Sequence, residues 1–188
     1  MKRQDYLTVV LAPVPVLVIP LLGNMFVEGW NWNPGAFVLL WVVLSVATLV
    51  YKLIATSPAA APAHRLAAAL AVLTGFFVFW MSIGPKIIGE ENPGNLLYLL
   101  IILLGLIGVG FSGFRPAVLA WVAFGLAAAI LVVPVITLLL WPSSDFSPGF
   151  LRVQLLSSVF AAMFATSGLL FRRAALPTAS AARIVGDV

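Results

Sequence analysis

The residues of this chain best suited to chemistry are Arg152, Gln154, Ser157 and Ser158, a polar track inside an apolar run that extends from Phe150 to Phe171. An ionisable group within such a run is costly to bury, so a guanidinium there is expected to face a bundle interior or a water-filled cavity. In a cavity, Arg152 and Gln154 could bind an anionic or carbonyl-bearing solute. Snorkelling of Arg152 to the nearby surface, paired with Asp145, accounts for the same residue equally well. Glu90 and Glu91 are a second candidate: adjacent carboxylates on a turn could both reach a cation or a partner's basic group, or could simply be solvated. The single histidine, His64, cannot by itself build a bis-histidine haem site or a three-histidine zinc site, and beside Arg65 it reads as a solvated loop residue. There is no cysteine, which excludes thiolate metal sites, disulfides and cysteine nucleophiles. No nucleophile–base pair or carboxylate cluster falls within an apolar run, so neither an enzyme nor a cofactor is expected.

The elements that would position these residues follow from composition. Of the 188 residues 63% are hydrophobic and 9% charged, well beyond the roughly 45–50% apolar content of a soluble domain. A bilayer-spanning helix needs about 20 mostly apolar residues. Six such runs, approximately 7–22, 36–54, 65–82, 95–113, 117–141 and 149–171, use up most of the chain and leave a small polar tail, 174–188, expected to be loosely ordered. The reading is a single all-α transmembrane domain over 1–188, a six-helix bundle of three tandem helical hairpins. Lys2 and Arg3 ahead of Leu7–Leu22 resemble a signal peptide, but no small-x-small site follows, so the run is expected to be a retained helix kinked by Pro13, Pro15 and Pro20.

Three turns of similar design punctuate the runs. Asn33-Pro34-Gly35, Asn92-Pro93-Gly94 and Ser147-Pro148-Gly149 each precede an apolar run. Asn and Ser are preferred helix N-caps, and proline suits the first helical position, where its missing N–H would be unpaired anyway. The even-numbered helices then end in an aromatic followed by a base: Tyr51-Lys52, Phe114-Arg115 and Phe171-Arg172. The repeat admits two origins, duplication of one hairpin or convergence on a favoured turn. Gly105, Gly108, Gly110 and Gly113 in the fourth run suit close helix approach. Thr56 to Ala63 reads as a short connector, and Pro134 as a kink in the fifth run.

Charge sets the expected orientation. Lys2, Arg3, Lys52, Arg65, Arg115, Arg172, Arg173 and Arg183 fall on one side of the runs, and only Lys86 and Arg152 on the other. The positive-inside rule therefore places both termini in the cytoplasm. Basic residues dispersed beside apolar runs suit a membrane surface and not nucleic acid, so the expected partners are the bilayer and a protein of the same membrane.

From His64 to Ala175 the chain resembles an uncharacterised family of small bacterial multi-span integral membrane proteins. The residues that carry the likeness are His64-Arg65-Leu66-Ala67, Gly75-Phe76-Phe77-Val78-Phe79-Trp80, Ile87 through Tyr98, Gly113-Phe114-Arg115-Pro116 and Leu170-Phe171-Arg172-Arg173. Members of that family tend to carry Asp-Phe near the start of the second helix, where this chain has Ala36-Phe37. The resemblance implies a bacterial inner-membrane helical protein and no particular activity. Two functional expectations stand at this point: a non-enzymatic accessory or assembly subunit of a membrane complex, or a small-solute or ion carrier with a cavity near Arg152.

Overall fold

A computed structural model describes residues 3–57, 61–142, 146 and 149–176, without the side chains of residues 3 and 4. All regular structure among these residues is helical: α1 (Arg3–Leu11), α2 (Val14–Phe26), α3 (Pro34–Ala55), α4 (Pro62–Ile83), α5 (Asn95–Phe111), α6 (Pro116–Leu140) and α7 (Phe150–Ala175). Taking Asp5–Phe26 as one span, five helical segments are long and apolar enough to cross a membrane, and α5 is a shorter apolar helix. Their outward faces are apolar too, as at Leu100, Leu103 and Leu104 of α5, Leu139 of α6 and Leu151 and Leu155 of α7. Contiguous exposed apolar surface on this scale suits lipid and not water.

The chain divides into two compact units, Met1–Leu53 and Ile54–Val188. In the first, the expected single kinked helix is two helices. Pro13 and Pro15 carry no N–H for the carbonyls of Val9 and Leu11, and the ladder breaks at Ala12-Pro13, whereas Pro20 is accommodated inside α2. The α2–α3 turn is closed by Asn24, whose side chain donates to the Trp32 carbonyl and accepts from the Trp32 N–H, both at 2.9 Å. Trp30 lies flat against Gly23, where any Cβ would approach the indole to 2.8 Å. Asn33 Oδ1 accepts the Ala36 N–H at 2.9 Å and Pro34 is the first residue of α3, the geometry of an N-cap followed by a proline start. Midway along the hairpin Trp41 Nε1 donates to the Val10 carbonyl at 3.1 Å, and at its open end Lys52 Nζ donates to Asp5 Oδ1 at 3.0 Å.

In the second unit α4 packs on α5 and α7, and α6 packs on α5 and α7. Along α5, Gly94, Gly105 and Gly108 receive Thr137, Leu126 and Val122 of α6 in turn, so the two helices run antiparallel at close approach. Gly110 instead opens on empty space, and Gly113 adopts a left-handed φ of 55° in the following turn. Between α4 and α7 two contacts mark the antiparallel register. Ser167 Oγ donates to the Ala67 carbonyl at 2.8 Å, and the rings of His64 and Phe171 meet edge to face at 5.2 Å. Val78, Ile88, Tyr98, Ile130, Val153, Phe160 and Phe164 fill the centre. Lipid tails are as apolar as these side chains, so such packing and the hydrogen bonds across helices, rather than hydrophobic burial, hold the unit together.

Several boundaries differ from the sequence reading. α4 begins at Pro62 and not at Arg65, which converts the end of the expected connector into helix. α5 stops at Phe111 because Gly113 and Phe114 both turn left-handed, with Ser112 Oγ accepting the Phe114 N–H at 3.0 Å. α7 continues to Ala175, so the tail expected to be loose from 174 is still helical at its first two residues; 177–188 lie outside the described residues. Ser147 and Pro148 of the third turn, and Asp145, also lie outside them.

Candidate functional site

Several buried polar groups of the second unit, Asn92, Asn95 and Thr137 among them, lie at the end where α4 gives way to α5 and α6 to α7. There the turn 84–94 is held by one side chain. Asn95, the first residue of α5, is buried, and its amide is engaged on both sides. Oδ1 accepts the N–H groups of Ile87 at 2.9 Å and Ile88 at 3.2 Å, while Nδ2 donates to the carbonyls of Gly89 at 2.8 Å and Asn92 at 3.0 Å. Two donors and two acceptors are the full capacity of an amide in this role. The turn needs such a clamp because it bends through left-handed backbone at Lys86 (φ 62°) and Gly89 (φ 108°), which leaves Ile87 and Ile88 buried with no ladder partner of their own.

Asn92 plays a smaller part than the sequence suggested. Its Oδ1 accepts the Gly94 N–H at 2.9 Å, but the helix starts at Asn95 and not at Pro93, and Gly94 is the residue in the cap position. Leu96 N–H reaches the Pro93 carbonyl at 2.9 Å, so residues 92–94 form a tightened lead-in turn. Glu90 and Glu91 stand exposed on this clamped turn.

Below the turn, Tyr98 and Ser157 share a hydrogen bond of 2.7 Å in the buried interior between α5 and α7. Gln154, half-buried one turn earlier on α7, directs Nε2 to the Leu131 carbonyl of α6 at 3.4 Å. That carbonyl is next to the one of Ile130, which loses its helical donor because Pro134 has no N–H, so the bond falls where the α6 ladder is interrupted. The Oε1 atom of Gln154 and the hydroxyl of Thr137 are buried without a hydrogen-bond partner.

Arg152 does not join this cluster. It is exposed on α7 between exposed Leu151 and buried Val153, and two residues of helix separate it from Gln154 by about 200° of rotation. The two side chains therefore leave α7 on different sides, Arg152 on the exposed one and Gln154 toward α6. His64, expected as a solvated loop residue, is instead fully buried in the first turn of α4. Its Nε2 lies 3.0 Å from the Ile54 carbonyl and 3.3 Å from Ser57 Oγ, and its ring packs on Phe171. The carbonyl can only accept, so Nε2 carries the proton and the imidazole closes the end of α3. Nδ1 is buried with no partner.

Sequence reasoning missed Asn95 and His64 as structural junctions. The signal for Asn95 was its place three residues after Asn92 in a turn rich in glycine; for His64 it was Pro62, a suitable first residue of a helix. Among the described residues, no three His, Asp or Glu side chains come together as a metal site would require. The cluster can therefore lock a turn and cross-link three helices through neutral hydrogen bonds. Compared with known proteins, the chain matches no family model, no curated protein and no solved structure.

Proposed function

We propose that the chain is a non-enzymatic accessory or assembly subunit of a membrane complex, crossing a bacterial inner membrane six times as three tandem hairpins with both termini in the cytoplasm. The observation that carries this reading is the exposure of Arg152 next to Leu151 and Leu155. The guanidinium sits on the surface of the second unit, free to anchor in headgroups or meet another protein, while the centre is filled by Tyr98, Ile130, Phe160 and Phe164. The neutral, saturated clamp at Asn95 supports it as well, because a rigid exposed turn bearing Glu90 and Glu91 suits recognition by a partner's basic groups. The resemblance of residues 64–175 to small bacterial membrane proteins belongs to the same reading.

Purification from native membranes in mild detergent is expected to recover a second protein in fixed stoichiometry, and Arg152→Lys is expected to leave that recovery unchanged. A partner-free protein whose melting temperature rises with a small solute would favour the alternative, a solute carrier. One observation favours that alternative: the unpartnered Oε1 of Gln154 and hydroxyl of Thr137 are buried polar atoms that water or a solute could satisfy. In that case the solute-dependent shift should vanish in Gln154→Leu.

The orientation is tested separately by single cysteines introduced into this cysteine-free chain. Positions 91 and 146 are expected to label from outside the cell and positions 58 and 115 only after permeabilisation, following the bias of basic residues. The reverse pattern would overturn the orientation.

A further inference from the structure

At the end of the second unit opposite the Asn95 clamp, the start of α4, the α5–α6 turn and the end of α7 come together, as the antiparallel contacts of α4 with α7 and of α5 with α6 require. They carry four exposed arginines: Arg65, Arg115, Arg172 and Arg173. The described residues of this unit include only two carboxylates, Glu90 and Glu91, and both stand at the other end. Arg65 lies beside His64 and Arg172 beside Phe171, so the ring contact of 5.2 Å brings two cations from positions far apart in sequence onto neighbouring helix turns.

Like charges placed together without a carboxylate repel one another unless an anion lies between them. The placement is also unhelpful to the helices. Arg115 stands at the N-cap of α6 and Arg65 in the opening turns of α4, where the helix dipole disfavours a cation; only Arg172 and Arg173, in the last turn of α7, are favourably placed. The same end bears two aromatic rings facing outward, Phe111 at 89% exposure, the last residue of α5, and Trp121 at 74%, in the second turn of α6. Aromatic side chains at this depth sit at the boundary between acyl chains and headgroups.

We propose that this end of the second unit is a binding surface for anionic phospholipid headgroups, with the guanidiniums on the phosphates and Phe111 and Trp121 in the layer just below. The planar guanidinium pairs with phosphate through two parallel hydrogen bonds, a geometry that an ammonium cannot reproduce. The surface rests on the membrane-embedded reading of the helices and is independent of the accessory role and of the orientation.

The test uses the full chain in nanodiscs of phosphatidylcholine alone or with a minority of phosphatidylglycerol, whose two leaflets are alike, so that orientation does not matter. Retained lipid is counted by mass spectrometry after release into mild detergent. Resistance to alkaline carbonate extraction establishes membrane insertion beforehand, which separates failure of the membrane reading from failure of the lipid surface. Phosphatidylglycerol should be enriched over its share of the bilayer, and the melting temperature should be higher in its presence. Each Arg→Gln change among the four should lower the enrichment, by up to about fivefold for a charge held close to the anionic surface. Arg→Lys should lower it less, and Arg152→Gln, a lone cation at the opposite end, should lower it less than any of the four. Insertion without enrichment, or equal loss in Arg152→Gln, would overturn the proposal.

Discussion

Asn95→Ala is expected to lower the stability of the detergent-solubilised protein by on the order of 4 kcal/mol, the largest effect of a single polar substitution among the described residues. The reason is the number of backbone groups that depend on one amide. Removing it strips partners from the N–H groups of Ile87 and Ile88 and from the carbonyls of Gly89 and Asn92, in a turn where Ile87, Ile88 and Asn92 are buried. A buried group left without its partner costs about 1–3 kcal/mol, and water entering the loosened turn would recover part of the sum. Asn92→Ala is the matched comparison. It releases the Gly94 N–H and should cost about 1 kcal/mol, the typical worth of one such hydrogen bond. Thermal and denaturant unfolding of both variants would check the ranking. Equal losses would mean that the amide of Asn95 does not hold the turn.

Gly94→Ala is expected to cost about 2–3 kcal/mol through overpacking. The φ of Gly94 is −57°, an ordinary helical value, so backbone conformation does not require glycine there. Space does. A Cβ at this position would run into the side chain of Thr137 and come within 2.9 Å of Ile88 Cδ1. Thr137 is fully buried and its hydroxyl is unpartnered, so Thr137→Ala removes a polar atom that gains nothing from burial and should change stability by less than about 1 kcal/mol. Combining the two should recover part of the loss, with a coupling on the order of 1 kcal/mol, and recovery stays incomplete because the contact with Ile88 remains. Strictly additive effects in the double-mutant cycle would show that α5 and α6 do not meet at this pair.

Together the two predictions place the rigidity of the second unit at its clamped end. Ile88 takes part in both: its N–H is held by Asn95 and its side chain lies over Gly94. A turn fixed in this way carries Glu90 and Glu91 in a defined position without either carboxylate taking part in the bonding that holds it. At the opposite end, fixation depends on His64 and Ser167, each of which reaches a backbone carbonyl of a neighbouring turn or helix.

By itself the sequence determined the helical, apolar character of the chain and, from α3 onward, the starts of its helices to within a few residues. Those properties are local: long apolar runs, and asparagine with proline where a helix can begin, as at Asn33 and Pro34. It also held the separation of Arg152 from Gln154, since two residues of helix are more than half a turn. What the sequence could not fix was which face of each helix is buried. A helix facing both lipid and protein is apolar all round, so no amphipathic stripe marks its inner side. Only the packing of α7 against α4 and α6 decided that Ser157 and Ser167 face inward while Arg152 faces out. The same limit applies to the two asparagines of the central turn. Both suit a cap by residue type, and the choice between them depends on where the carbonyl of Gly89 and the N–H groups of Ile87 and Ile88 come to lie, which the left-handed bends at Lys86 and Gly89 set. His64 became a buried junction for a like reason: the ring of Phe171, from the far end of the chain, covers it, and no pattern near His64 encodes that contact.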